Sequence, residues 1–149
     1  MSNLTATTTR DMNTRSAPAS RADTVKNVSE LIGRTLLSVL FLLSGLSKIG
    51  AYAATAAYMT SVGVPSALLP VVIATEVLGA FAVILGWHTR IAAFLLAGYS
   101  LLAALIFHAN FADQIEMIMF LKNVSIAGGF LLLVGNGAGR LSLDRRRAS

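Results

Sequence analysis

The chain contains no cysteine and little charge: Asp, Glu, Lys and Arg together make up 13% of its residues. Without thiols there is no disulfide, no thiolate nucleophile and no Cys-ligated zinc or iron–sulfur cluster. The scarcity of charge reaches further, because a soluble domain devotes about a quarter of its residues to it. With 55% hydrophobic residues in a length of 149, the composition reads as that of a membrane protein. Histidine is rarer still, at two residues. His88 and His108 flank one apolar stretch and stand ~30 Å apart at helical rise, so they do not share a haem or a metal. GxGxxG, P-loop and HExxH motifs are all missing, and "GNGAG" (135–139) reads as a chain exit, not a phosphate cradle. No intrinsic haem, metal centre or nucleotide is expected.

Acidic residues are the minority, seven against twelve basic ones, for a net charge of +5. The basic residues lie at the chain ends and in one short loop, with no basic folded surface beneath them. That arrangement points to anionic lipid headgroups and away from nucleic acid.

Four apolar stretches are present, at about 31–49, 67–86, 91–107 and 117–135. Each has the ~17–25 residues a helix needs to cross ~30 Å of hydrocarbon. Backbone groups in lipid must be satisfied within their own segment, so the spans are helices. The expected fold is an all-α, integral membrane four-helix bundle over residues 29–138. Residues 1–28 have almost no large apolar side chain and read as a disordered tail. Residues 139–149 read as a basic C-terminal tail. Gly50, Gly63 and Pro65 break the first connection, "WHTR" (87–90) makes a tight turn, and "HANFADQIE" (108–116) forms a second polar loop. The stretch "LFLLSGLSKIGAYAA" resembles a signal-peptidase site, but the long region before it and Lys48 within it argue against cleavage.

With four crossings, ten of the twelve basic residues fall on one face, from Arg10 to Arg34, at Arg90, and from Arg140 to Arg147. The opposite loops carry Asp113 and Glu116. By the positive-inside rule both termini are expected in the cytoplasm, with the protein multi-pass in the cell (inner) membrane.

Glu76 lies near mid-bilayer, where an unpaired carboxylate costs roughly 2.5–3.5 kcal/mol on the insertion scale. Lys122 enters from the outer face within reach, so a Glu76–Lys122 pair is available if the second and fourth spans touch. Lys48 and His108 sit at the outer ends of the first and third spans, and Asn123 follows Lys122. All four spans thus bring a polar group to the outer half of the bundle, a candidate intramembrane site of Glu76, Lys122, Asn123, His108 and Lys48. For Lys48 and His108, edge anchoring is the plainer reading. Arg34 and Arg90 read as interfacial basic anchors. Small residues, among them Ala97, Ser100 and Ala104 on one face of the third span, allow close helix packing. A quinone suits such a site: its carbonyls need donors such as Lys122, Asn123 or His108, and its reduction consumes protons that Glu76 relays.

The ordered series "GRTLLSVLFLLSGLSKIG", "YMTSVGVP", "ATEVLGAFAVILGWHTRIAA", "IFHANF" and "FLKNVSIAGGFLLLVGNGAGRLSLD" resembles the DoxX family of small four-helix membrane proteins, over about residues 31–144. The resemblance places Arg34, Lys48, Glu76, Arg90, His108, Lys122 and Asn123 on the family's polar positions. It implies a quinone-facing or membrane-anchoring component of a redox system. Family relatives include the membrane subunit of a thiosulfate:quinone oxidoreductase and members that associate with soluble redox enzymes. Lacking cysteine, this chain would leave sulfur chemistry to a soluble or membrane redox partner, acting as a non-autonomous subunit. The alternative is a non-catalytic scaffold or assembly partner, with a second copy of the chain among the candidate partners. A solute or proton carrier ranks last, since the halves show no inverted repeat.

Overall fold

The computed structural model describes residues 20–147. Helix α1 runs from Arg21 to Gly50, α2 from Tyr52 to Ser61, α3 from Leu69 to Leu85, α4 from Thr89 to Phe107, α5 from Gln114 to Asn136 and α6 from Leu143 to Arg147. A single 3-10 turn, Ser66–Leu68, leads into α3. No strand occurs among the described residues. Four of the helices, α1, α3 with its leading turn, α4 and α5, are long and apolar enough to cross a membrane. They run up and down in a ring in which α1 packs on α3, α3 on α4, and α4 on α5, with a lighter α5–α1 contact closing it. The diagonal therefore separates α3 from α5.

Helix α4 is the most enclosed of the four. Ala92, Ala93, Leu96, Ala97, Ser100 and Ala104 are all buried, and the small side chains among them let its neighbours approach. A core of Phe41, Val83, Leu96 and Phe130 fills the centre, where Phe41 meets Phe130 edge to face at 5.4 Å. Gly45 sets the spacing of α1 and α3: a Cβ there would stand 2.6 Å from Val77 Cγ2.

The first span begins earlier than the hydrophobic pattern suggests. Of the expected tail, residues 1–19 lie outside the described residues, whereas residues 21–28 are helical. Ser20 accepts from the Asp23 N–H and Asp23 accepts in return from the Ser20 N–H, a reciprocal cap that starts the helix ten residues before its apolar stretch. The first connection also holds structure of its own. Its Ala-rich α2 buries Met59 and stacks Tyr58 on Phe107 at 5.8 Å.

The segment read as a basic tail folds back and clasps the end of the bundle where α1 begins and α5 ends. Asp144 accepts from the backbone N–H groups of His88 and Thr89 at 2.7 and 2.9 Å and from the Thr89 hydroxyl at 2.8 Å. Helix α4 has no capping side chain of its own, so this carboxylate serves its first orphan donors. In return, the Asp144 N–H donates to the Gly86 carbonyl at 2.8 Å. Gly86 is left-handed at φ 69°, and a Cβ there would overlap Ser142. Arg34 is 2% exposed and donates its Nη1 and Nη2 to the Ala138 and Leu141 carbonyls. Its expected role as a headgroup anchor is thereby corrected. The exit loop lies over the guanidinium and offers it carbonyls that have no helical partner.

Partial burial works to raise the Asp144 pKa, but the donors on Thr89 and His88 outweigh it and hold the carboxyl below its usual 3.8. A depressed carboxylate stabilises the fold fully above its unfolded pKa and stops doing so as pH falls through the folded value. Asp144→Ala should cost ~1–2 kcal/mol at neutral pH, as for a lost helix cap. Thermal unfolding in detergent should show that gap closing as the pH drops below 3.8.

Candidate functional site

Glu76 is the eighth residue of α3 and 2% exposed. Its carboxylate is met from two helices. From α1, Lys48 Nζ donates to Oε1 and Oε2 at 2.8 and 2.9 Å, and the Ser44 hydroxyl donates to Oε1 at 3.2 Å. From α4, the Tyr99 hydroxyl donates to Oε1 at 2.7 Å. Lys48 also donates to Ser44 Oγ at 2.6 Å, so the ammonium, hydroxyl and carboxylate close a triangle. Every partner of the carboxylate carries a proton that it can donate. The Tyr99 ring stands edge-on to Phe41 at 6.1 Å, which sets apolar surface beside the site.

The expected Glu76–Lys122 pair does not form, for two reasons. The first is the ring order, which puts α3 and α5 across the diagonal. The second is the lean of helical side chains toward their own N-terminus. On α1 that direction leads from the far end of the bundle toward its middle, so Lys48 is carried down beside Ser44 and onto Glu76. Helix α5 runs the opposite way. Lys122 is carried outward, is exposed, and reaches Met119 Sδ at 3.1 Å.

The other candidate residues are not brought together. Asn123 is half-buried and donates its Nδ2 to the Met119 carbonyl at 2.9 Å, a bond within its own helix. His108 closes α4 and meets Glu116 of α5 through Nδ1 at 2.7 Å, about 13 Å along the helix from Tyr99. Arg90 is exposed at the opposite end of the bundle. Of the proposed set, only Lys48 and Glu76 share a site.

Ser44 and Tyr99 belong to it and were not singled out from the sequence. Both carry a signal. Ser44 precedes Lys48 by one helical turn, the position a backward-leaning lysine passes. Tyr99 is the eleventh residue of a 19-residue span, far from the interface where tyrosine is at home. A hydroxyl at that depth needs a buried partner.

No cluster of three or more His, Cys, Asp or Glu suited to a metal occurs among the described residues. What the fold and the site define is a small integral membrane bundle of four spans, with an ion pair held at its centre. The chain belongs to the DoxX family, whose family model matches residues 29–109 and so includes Lys48, Glu76 and Tyr99 but not Lys122. It is 45% identical over 121 residues to inner membrane protein YqjF of Escherichia coli (strain K12), covering 81% of this chain and 93% of that protein. Inner membrane protein YphA of the same organism is 42% identical over 123 residues, covering 78% and 88%. No solved structure matches the chain.

Removing one partner of a buried pair leaves an uncompensated charge, at a cost of about 3–5 kcal/mol. Lys48→Met should therefore lower the unfolding temperature in detergent far more than Lys122→Leu does. The double change Lys48→Met with Glu76→Gln should recover much of the loss, because it removes both charges. A double-mutant cycle checks this.

Proposed function

We propose that the protein is a quinone-facing membrane component of a redox system, its Glu76 network serving the quinone headgroup. The observation that supports this reading is the continuous chain of proton-bearing groups from Lys48, part-exposed near the far end of α1, through Glu76 to Tyr99 at mid-bundle. Reducing a quinone takes two electrons and two protons. Turned away from Glu76, to which their protons are now given, the ammonium and the two hydroxyls would be donors suited to quinone carbonyls, and the carboxylate is a site from which protons are passed. With no cysteine in the chain, the electrons would come from a partner, and the protein would act as a non-autonomous subunit.

A second reading, a scaffold for another membrane protein, draws on α5. That helix gives only Ala127 and Phe130 to the buried core and leaves Lys122 and Ser125 exposed.

The two readings part in one experiment. After extraction in mild detergent, mass spectrometry should find quinone with the wild type, strongly reduced with Glu76→Gln and Lys48→Leu, and unchanged with Lys122→Leu. Quinone missing from the wild type, or undiminished in both network variants, would overturn the redox reading. A stoichiometric crosslinked partner lost on Lys122→Leu would favour the scaffold.

For topology, we propose that both termini lie on the cytoplasmic side of the inner membrane. The positive-inside rule and the inner-membrane relatives support this. The absence of native cysteine makes the test clean. In intact spheroplasts an impermeant maleimide should label Ser61→Cys but reach Arg146→Cys only after permeabilisation.

A further inference from the structure

At the end of the bundle where α1 begins, an open cleft of about 940 Å³ lies between α1, the start of α4, the end of α5 and the folded-back C-terminal segment. Three separate elements bring cations to it: Lys26 from α1, Arg90 from α4, and Arg140 with Arg145 from the C-terminal segment. Two of the acids on its walls cap helices, and the buried Oε2 of the third, Glu30, has no hydrogen-bond partner. Asp144 caps α4, Asp23 caps α1 while facing Arg140, and Glu30 lies 3.9 Å from Lys26. Arg90 passes close to Gly137, where a Cβ would meet its Nε at an ordinary contact distance of 3.7 Å. Both Arg90 and Arg140 are exposed.

The level of the cleft narrows the choice of ligand. Glu30 directly precedes the apolar run of α1, Ile91 begins that of α4, and Asn136 directly follows that of α5. All three mark the edge of the hydrocarbon, where lipid phosphates lie. Guanidinium groups approaching from separate walls match a tetrahedral, multiply accepting anion better than a planar carboxylate on one side.

From this placement we propose that the cleft is a stoichiometric binding site for a phosphate-bearing anion at headgroup level, held chiefly by Arg90 and Arg140. The site is distinct from the Glu76 network and stands or falls without it. It differs from general attraction of a basic face to acidic lipid in depending on which cations are present, not on how many.

The test uses the full chain in two kinds of nanodisc, one of phosphatidylcholine alone and one of equal parts phosphatidylcholine and phosphatidylglycerol. Lipid retained after gentle detergent release is counted by native mass spectrometry. The variant Arg90→Gln with Arg140→Gln is compared with Arg21→Gln and Arg146→Gln, which removes the same charge outside the cleft. One retained phosphatidylglycerol per wild-type chain, weakened about tenfold in the cleft variant and kept in the control, supports a lipid as the source. Stabilisation of the wild type by inorganic phosphate in phosphatidylcholine discs, absent from the cleft variant, supports a free phosphate. Equal loss in both variants, or no retention and no phosphate response in the wild type, overturns the proposal. Arg140→Gln alone, which leaves the start of α4 untouched, gives the same reading should the double variant fold poorly.

Discussion

A carboxylate in the middle of a bilayer must be answered, and here the answer organises the bundle. Lipid tails are as apolar as the helices they surround, so the hydrophobic effect gives the spans little reason to prefer one another. Close packing and buried polar contacts have to supply the preference. Glu76 supplies much of it, because its partners come from α1 and α4 while it belongs to α3. Three of the four spans are thus held in one register about one side chain. The packing agrees with the electrostatics. Gly45, one residue from Ser44, lets α1 approach close enough for Lys48 to cover both carboxylate oxygens. A larger residue there would push the ammonium and the carboxylate apart.

Helix α5 stands outside this arrangement. It joins the bundle mainly through α4, and its own polar residues, Lys122 and Asn123, turn to Met119 within the same helix. What holds its far end is the clasp of Arg34 and Asp144 on the segment that follows it. The bundle is therefore pinned by two unrelated polar devices, one at mid-bundle and one at the end where α1 begins, with an apolar aromatic layer of Phe41 and Phe130 between them.

The four spans and the need of a buried Glu76 for a partner were legible in the sequence, because length, hydropathy and the cost of a buried charge are local properties. The choice of Lys48 over Lys122 was not. Depth alone leaves both within reach, and the choice depends on which helices are neighbours and on which way each runs. Arg34 was misread for a related reason: its partners are the Ala138 and Leu141 carbonyls, 104 and 107 residues away. Nothing in the composition of a short basic segment shows that it folds back. The early start of α1 was readable, since Ser20 and Asp23 stand at capping-box spacing, but the hydrophobic pattern drew attention to Leu31 instead.

The cap on α4 has a bearing on how the protein is made. Asp144 follows Thr89 by 55 residues, so the ribosome must translate the whole of α5 before that carboxylate exists. Until then the leading amides of α4 have only water or headgroups to serve them. The turn between α3 and α4 is fixed only after the fourth span has crossed. Topogenesis and locking are thus successive events, and the membrane end of the nascent chain stays adaptable until translation has passed the final crossing.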